Sequence, residues 1–383
     1  MHMKVFFSSL VIVLCLIAAG CVEKFTPDLH TTRYYLVVNG LITDQPEICK
    51  VKLFWSITPG EIESVPVSGC DVAVYDDLGH VFQFAESEEP GTYCSDTATF
   101  RGIVGRTYTL HIETNNAASN HYTYESEPVE MRAVPGIDSI YFEKETIRAA
   151  TQYSGAQEGC RIYLDTHDPA GTCRYYRWDF TETWKILVPW VSVVNKRCWV
   201  AENSQAINIK STSVLSQDRI TRQPVTFITN QTDRLAERYS ILVNQYSLSD
   251  REFEFWDKLR NVTQNTGGLY GTIPYSTPSN MICLEEPSEQ VLGYFSVSAK
   301  TSKRIYVQET FKGLVNLYRN CPADTFYLPD ASMIPNINTT RWILYECHGS
   351  CGNVEITTNE HSCADCTVRG TLVKPDFWYD PEE

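Results

Sequence analysis

The chain has 383 residues, 43% of them hydrophobic and 12% aromatic, with a formal charge of −15. That much apolar material builds real cores and excludes a disordered tether, and the length allows two or three domains. Asp and Glu are spread along the chain rather than set in blocks, which excludes nucleic acid and an anionic lipid surface as partners.

Lys4, an almost unbroken apolar run from Val5 to Ala19, and the small residues Ala18, Ala19 and Gly20 ahead of Cys21 have the layout of a secretory signal peptide. An apolar run of about 15 residues falls short of the roughly 20 a spanning helix needs. Small residues directly before a Cys resemble a bacterial lipobox, in which the Cys sulfur is acylated and the chain is cut ahead of it. Residues 1–20 are then the signal, which takes Cys15 with it, and residues 21–32 a tether. A multiply acylated Cys21 holds the protein on a membrane that nothing after it spans. Glu23 and Lys24 follow closely, and charge there resembles the surface-export signal of Bacteroidota lipoproteins.

Short β-branched and aromatic runs come next: Tyr34 to Ile42, Cys49 to Ile57, Cys70 to Asp76, Val81 to Ala85 and Thr107 to Thr114. Turn chemistry separates them, as in Thr58-Pro-Gly, Asp77-Leu-Gly and Glu89-Pro-Gly. The spacing predicts an immunoglobulin-like or transthyretin-like antiparallel sandwich over residues 33–133. Val134-Pro135-Gly136 marks a boundary, and residues 134–383 are expected to form a larger β-rich domain. There Tyr175, Tyr176, Trp178, Phe180, Trp184, Trp190 and Trp199 crowd together, often two apart, as in strands with one buried face. Core packing is the leading role for most of them. Tyr175, Tyr176, Trp178, Trp184, Trp190 and Trp199 are nonetheless the candidates for ligand or partner contact, since exposed aromatics give large area at low entropic cost.

A single helix is predicted near 250–265. Ser249 as N-cap and Glu252 three residues on form a capping box, and Phe253, Trp256, Leu259 and Val262 form an apolar stripe that should dock on a sheet. Gly267-Gly268 stops it. The expected class is therefore mostly β, a sandwich followed by a larger β-rich domain with one docked amphipathic helix and a Cys-rich C-terminal segment.

Without Cys15 and Cys21, twelve cysteines remain: Cys49, Cys70, Cys94, Cys160, Cys173, Cys198, Cys283, Cys321, Cys347, Cys351, Cys363 and Cys366. An even number behind a secretory signal makes all twelve candidates for disulfides. Cys347-x3-Cys351 and Cys363-x2-Cys366, with His348 and His361 beside them, also have the spacing of a structural zinc site. Bridges, zinc and a redox-active Cys363–Cys366 pair are three readings of these four, and an oxidising compartment favours the first. No metal or other cofactor is expected. Asp96-Thr97-Ala98 and Asp138-Ser139-Ile140 resemble a short O-glycosylation motif and make Thr97 and Ser139 candidate acceptors.

Leu36-Val-Val-Asn-Gly-Leu-Ile-Thr-Asp, Tyr108-Thr-Leu-His-Ile, Ile137-Asp-Ser-Ile-Tyr, Tyr239-Ser-Ile-Leu-Val-Asn-Gln-Tyr-Ser-Leu-Ser, Val291-Leu-Gly-Tyr-Phe and Cys363-Ala-Asp-Cys-Thr-Val-Arg-Gly-Thr together resemble one Bacteroidota lipoprotein family, catalogued as domain of unknown function 4249. The likeness runs in order over nearly the whole mature chain. It implies an outer-membrane location and the company of TonB-dependent receptors, and it supplies no reaction and no ligand-binding residues.

No His-Glu-x-x-His helix, Gly-x-Ser-x-Gly elbow or phosphate-binding Gly-Lys-Ser/Thr loop occurs. The pairs Asp76-Asp77, Glu88-Glu89 and Glu285-Glu286 stand beside turns and read as solvated loop charge. The expectation is not an enzyme but a lipid-anchored accessory of a TonB-dependent receptor, capturing a ligand or acting as a lid. The other class is a structural or adhesive surface protein with no transported ligand.

Overall fold

A computed structural model of the protein describes residues 34–56, 64–114, 121–147, 157–188, 195–266, 279–315, 323–328, 342–347, 354–359 and 365–380. The early strands are β1 (Leu36–Thr43), β2 (Lys50–Trp55), β3 (Val65–Pro66), β4 (Asp71–Asp76), β5 (Val81–Glu86), β6 (Thr92–Cys94), β7 (Thr107–Glu113), β8 (Thr123–Ser126) and β9 (Val129–Glu130). After them come β10 (Ile137–Ile147), β11 (Gln157–His167), β12 (Tyr175–Leu187), β13 (Arg197–Asn203), β14 (Asn208–Ser211), β15 (Arg219–Thr229) and β16 (Tyr239–Ser247). The helix α1 (Asp250–Thr266) precedes β17 (Met281–Cys283), β18 (Leu292–Ser298), β19 (Lys300–Val307), β20 (Ala323–Leu328), β21 (Trp342–Cys347) and β22 (Val354–Asn359). The chain is mostly β, in antiparallel sheets with one docked helix.

Period-two patterning builds the first unit. In β7, Tyr108, Leu110 and Ile112 are buried and the residues between them half-buried, as a strand with one core face requires. β5 pairs with β4 through Val81–Phe84 and with β6 through Ala85–Glu86, so the sheet folds over at β5 and closes on one core. Val51, Leu53, Tyr93, Leu110 and Ile112 meet there. Asp76, at the β4–β5 turn, is not the solvated charge its sequence position suggests. Its carboxylate accepts the N–H groups of Leu78 and His80, both at 2.9 Å, and pairs with Arg106 at 2.7 Å.

The boundary expected at residue 133 does not close this unit. β17 pairs antiparallel with β8, and β18 lies parallel to β1, so both ends of the folded sheet are supplied from beyond residue 280. A parallel neighbour needs a long crossover, and here it takes in the rest of the first unit, β10 to β16 of the second and the helix after them. Gly293 fixes the join: its φ is +85°, and a Cβ there would lie 1.9 Å from the carbonyl oxygen of Val38, so no other residue fits.

The second unit packs a three-stranded sheet, β10-β11-β15, with a five-stranded one built on β13-β12-β16-β19, with β14 also on β12. Ile140, Ile162, Leu164 and Ile228 face Trp178, Phe180, Ile241 and Val243 in its core. β16 is buried nearly throughout because it is central and covered on both faces. Gln245 donates to the Pro135 carbonyl at 2.9 Å and Ser247 to that of Arg132 at 2.6 Å. The Val134-Pro135-Gly136 punctuation is thus pinned to β16 rather than free to swing.

The N-cap of α1 forms as its sequence predicts, Ser249 Oγ accepting the N–H of Glu252 at 3.1 Å, and Asp250 and Glu252 place negative charge in the first turn. The buried face differs from the expected stripe. Glu252, Phe255 and Leu259 are buried, whereas Phe253 and Trp256 are half-buried. The Glu252 carboxylate accepts from Trp256 Nε1 at 3.2 Å rather than turning back to the cap. Phe255 packs on Tyr294 of β18, with ring centroids 5.0 Å apart, and Phe253 on Tyr175 of β12 at 5.2 Å. The helix therefore spans the seam between the units.

At the C-terminus β20, β22 and β21 form a separate antiparallel sheet. Residues 365–380 then strap the second unit. Cys366 is disulfide-bonded to Cys198 of β13, 168 positions earlier, and Thr371 exchanges two 2.9 Å backbone bonds with Trp199.

Candidate functional site

Burial redistributes the residues proposed from sequence. Tyr176 and Trp178 are core, stacked 5.8 Å apart, with the Tyr176 hydroxyl donating to Asp218 at 3.0 Å and Trp178 Nε1 to Gln245 at 2.8 Å. Trp184 is buried beneath the Arg234 guanidinium, and Trp199 beneath the C-terminal strap. These four are therefore not available for partner contact: the inward face of β12 and the bonded edge of β13 hold them. Tyr175 is half-buried under α1. Trp190 lies outside the described residues.

The cysteines scatter as well. Cys198–Cys366 is a disulfide, which removes Cys366 from both a local four-thiolate zinc cluster and a Cys363–Cys366 redox pair. Cys49, Cys70, Cys94, Cys160, Cys173 and Cys283 are unbonded thiols. Cys49 and Cys94 show why proximity in sequence order is not enough. Cys49 is buried beside Ser95, while Cys94 lies opposite Lys50 and Ala85, on the other face of the pleat. Burial pushes the thiol pKa values of Cys160 and Cys173 up to about 12, so both are protonated packing groups. Cys347 lies in β21; Cys21, Cys321, Cys351 and Cys363 lie outside the described residues. Thr97 is exposed on a turn, but the Ser139 hydroxyl is half-buried and donates to Asp165 at 2.9 Å, so of the two only Thr97 offers a free acceptor.

What the fold does assemble is a cleft along the seam. A cavity of about 630 Å3 lies over the outer face of β1 and β2, lined by Val37, Asn39, Lys52 and Phe54. Phe255, Trp256 and Leu259 of α1 and Tyr294 of β18 wall one side, while Arg177 of β12 and the loop Ser204–Ile207 wall the other. A second, more polar cavity of about 460 Å3 shares Asp179 and Ser204 with it and is lined by Glu47, Lys50, Thr181 and Asn244. The period of two explains the geometry: Tyr176, Trp178 and Phe180 turn inward, so Arg177 and Asp179 between them face the seam.

Several polar groups of the smaller cavity are engaged by the protein itself. Lys300 Nζ pairs with Glu47 at 2.7 Å, and Asp179 Oδ1 accepts from Asn244 at 2.7 Å and from the Tyr246 hydroxyl at 3.3 Å. Burial, then the charge of Asp179, raises the Tyr246 pKa, which keeps it a neutral donor. Cys49 lines this cavity too, and burial raises its thiol pKa, away from nucleophilic use. In the larger cavity Arg177 lies over Tyr246 at 4.5 Å and Trp256 at 4.7 Å, and its Nε has no acceptor. Glu252, just behind Trp256, is completely buried, and that burial raises its pKa. The arrangement is one for holding a molecule, with apolar walls and a few placed polar groups. Sequence reasoning passed over Arg177, Asp179, Phe54 and Tyr294, although the alternation in Tyr175-Tyr-Arg-Trp-Asp-Phe carried a signal for the first two.

An antiparallel β unit completed by late strands is joined to a second β unit, with a roofed cleft at the join. The chain belongs to the family described as Domain of unknown function (DUF4249), whose model matches residues 22–304, from just after Cys21 into β19. No curated protein matches it.

Proposed function

We propose that the protein is a Bacteroidota outer-membrane lipoprotein, held at the cell surface through Cys21, that captures a small ligand in the seam cleft as a non-catalytic accessory of a TonB-dependent receptor. The cavity of about 630 Å3, in the range of small-molecule sites and walled by strands of both units and by α1, carries the reading. The signal-like N-terminus and a disulfide that closes a long stretch of chain support an oxidising envelope compartment. A tether at residues 21–32 would keep the sandwich within tens of ångströms of the membrane, since extended chain spans at most about 3.5 Å per residue. That confinement raises the effective concentration against a neighbouring receptor.

Asn39 is exposed on β1 and faces the larger cavity, so Asn39→Trp places an indole in the cleft. It should abolish receptor-dependent uptake while leaving receptor co-purification and the thermal melt unchanged. Recovery of no receptor barrel from solubilised outer membranes, with uptake intact after deletion of the protein, would replace this reading with the structural or adhesive one.

A further inference from the structure

Among the described residues, the buried polar atoms without a partner include Arg177 Nε, Arg238 Nε and Nη1, Trp184 Nε1 and Trp199 Nε1. Arg177 is the one of these that also lines the larger cavity. Arg106, Arg174, Arg238 and Arg369 also keep a buried nitrogen without a hydrogen-bond partner, but none of them lines the larger cavity. Arg222, by contrast, forks onto both oxygens of Glu143 at 2.5 and 2.6 Å. Arg177 is less exposed than Arg222, 13% against 56% for the side chain, yet its direct ion pair is a long one, 3.8 Å to Asp179. Asp179 already spends its other oxygen on Asn244 and Tyr246.

The faces of the guanidinium are taken by Tyr246 and Trp256, so what it has left to offer is its planar edge of N–H donors, the geometry that suits a carboxylate. Desolvated beside aromatic walls, such a donor edge is short of an acceptor rather than of a donor. Glu252 is the other acid near it; one of its oxygens accepts from Trp256 Nε1, and burial disfavours its ionised form. Lys52 and Glu89 at the rim neutralise each other at 2.9 Å and leave the entrance without a strong field.

Resting on the capture reading above, we propose that the larger cavity takes a small amphipathic carboxylate. Its apolar body lies against Phe54, Trp256 and Tyr294, and its carboxylate accepts from the edge of Arg177. Binding is non-covalent, with no proton or electron transferred.

The test titrates the full chain in detergent with 4-phenylbutanoate and, separately, with 4-phenylbutan-1-ol, subtracting titrations of empty micelles. The acid should bind at least tenfold more tightly than the alcohol. Arg177→Gln should bring the acid down to the alcohol, and Asn39→Trp should remove both. Arg177→Lys keeps the charge without the fork, serves where the glutamine variant melts early, and should fall between. Equal affinities for acid and alcohol, both lost in Asn39→Trp, would overturn the carboxylate assignment and leave ligand capture standing. Acid binding that survives Asn39→Trp, or no binding of either probe, also overturns it, whereas capture itself is decided by the uptake experiment.

Discussion

The two units solve burial differently. Among the described residues, the first unit buries aliphatic side chains and tyrosines with hydroxyl groups such as Thr92, Thr114 and Ser126 as its polar content, and Asn280 enters with the late strands. The second buries Glu182, Asp218, Arg238, Asn244 and Gln245 among its tryptophans. Hydroxyls are cheap to satisfy on neighbouring backbone, whereas buried charges and amides need specific partners and thereby fix geometry. The difference teaches where function can be built. The first unit offers a sheet face, the second offers placed polar groups, and the cleft forms where the one covers the other.

The contrast breaks most strongly at the strap. If the second unit depends on long-range pinning, reducing Cys198–Cys366, or the pair Cys198→Ser with Cys366→Ser, should cost about 5 kcal/mol, the order expected for a loop of this length. Hydrogen exchange should accelerate in β13 and β12 and far less in β4 and β7. Equal acceleration in both units would mean that they unfold as one body and that the contrast is only compositional.

A smaller effect sharpens the role of buried amides. Gln245→Leu strands Trp178 Nε1, the Pro135 carbonyl and its partner Thr166 Oγ1, which Gln245 now bonds at 2.8, 2.9 and 3.0 Å. The expected loss is about 2 kcal/mol in urea unfolding. With Trp178→Phe the penalty of Gln245→Leu should shrink, because the stranded donor is gone; a strictly additive double mutant would show that Gln245 serves the linker rather than the core.

The smallest effect has the opposite sign. Burial raises the Glu252 pKa above its ordinary value of 4.5, so its folded form holds a proton more tightly than the unfolded chain. Its contribution is then fully favourable below the unfolded pKa and is lost as the pH rises through the folded one. Glu252→Gln should accordingly stabilise the protein at pH 8 by about 1 kcal/mol, and the advantage should vanish as the pH drops below about 4.5. Thermal melts across that range would show it. A variant that is less stable at pH 8 would mean that the ionised carboxylate is matched by Arg177 across the seam.

Local chemistry made several elements legible. The alternation of β7, the Asp-Leu-Gly turn after β4 and the Ser249 cap each depend on neighbours in sequence, and each forms where its residues predict. The helix face was less legible. A stripe of Phe253, Trp256, Leu259 and Val262 reads equally well at helical spacing, but α1 packs on two surfaces at once and buries Glu252 and Phe255 to do so. Tryptophan spacing showed a strand with one covered face without saying that the polar residues between the aromatics would form the wall of a cleft.

The sequence by itself determined the class of the protein, the positions of its principal early strands and turns, its helix and its family, because periodicity and turn chemistry act over a few residues. Tertiary structure alone decided that β18 pairs with β1 across more than half the chain, that Cys366 bonds Cys198 rather than a nearer cysteine, and that Arg177 lines a cavity with its Nε unpartnered. Each of these is a choice of partner between distant residues. A local pattern specifies what kind of surface a segment presents, but which surface meets it is set by the packing of the whole.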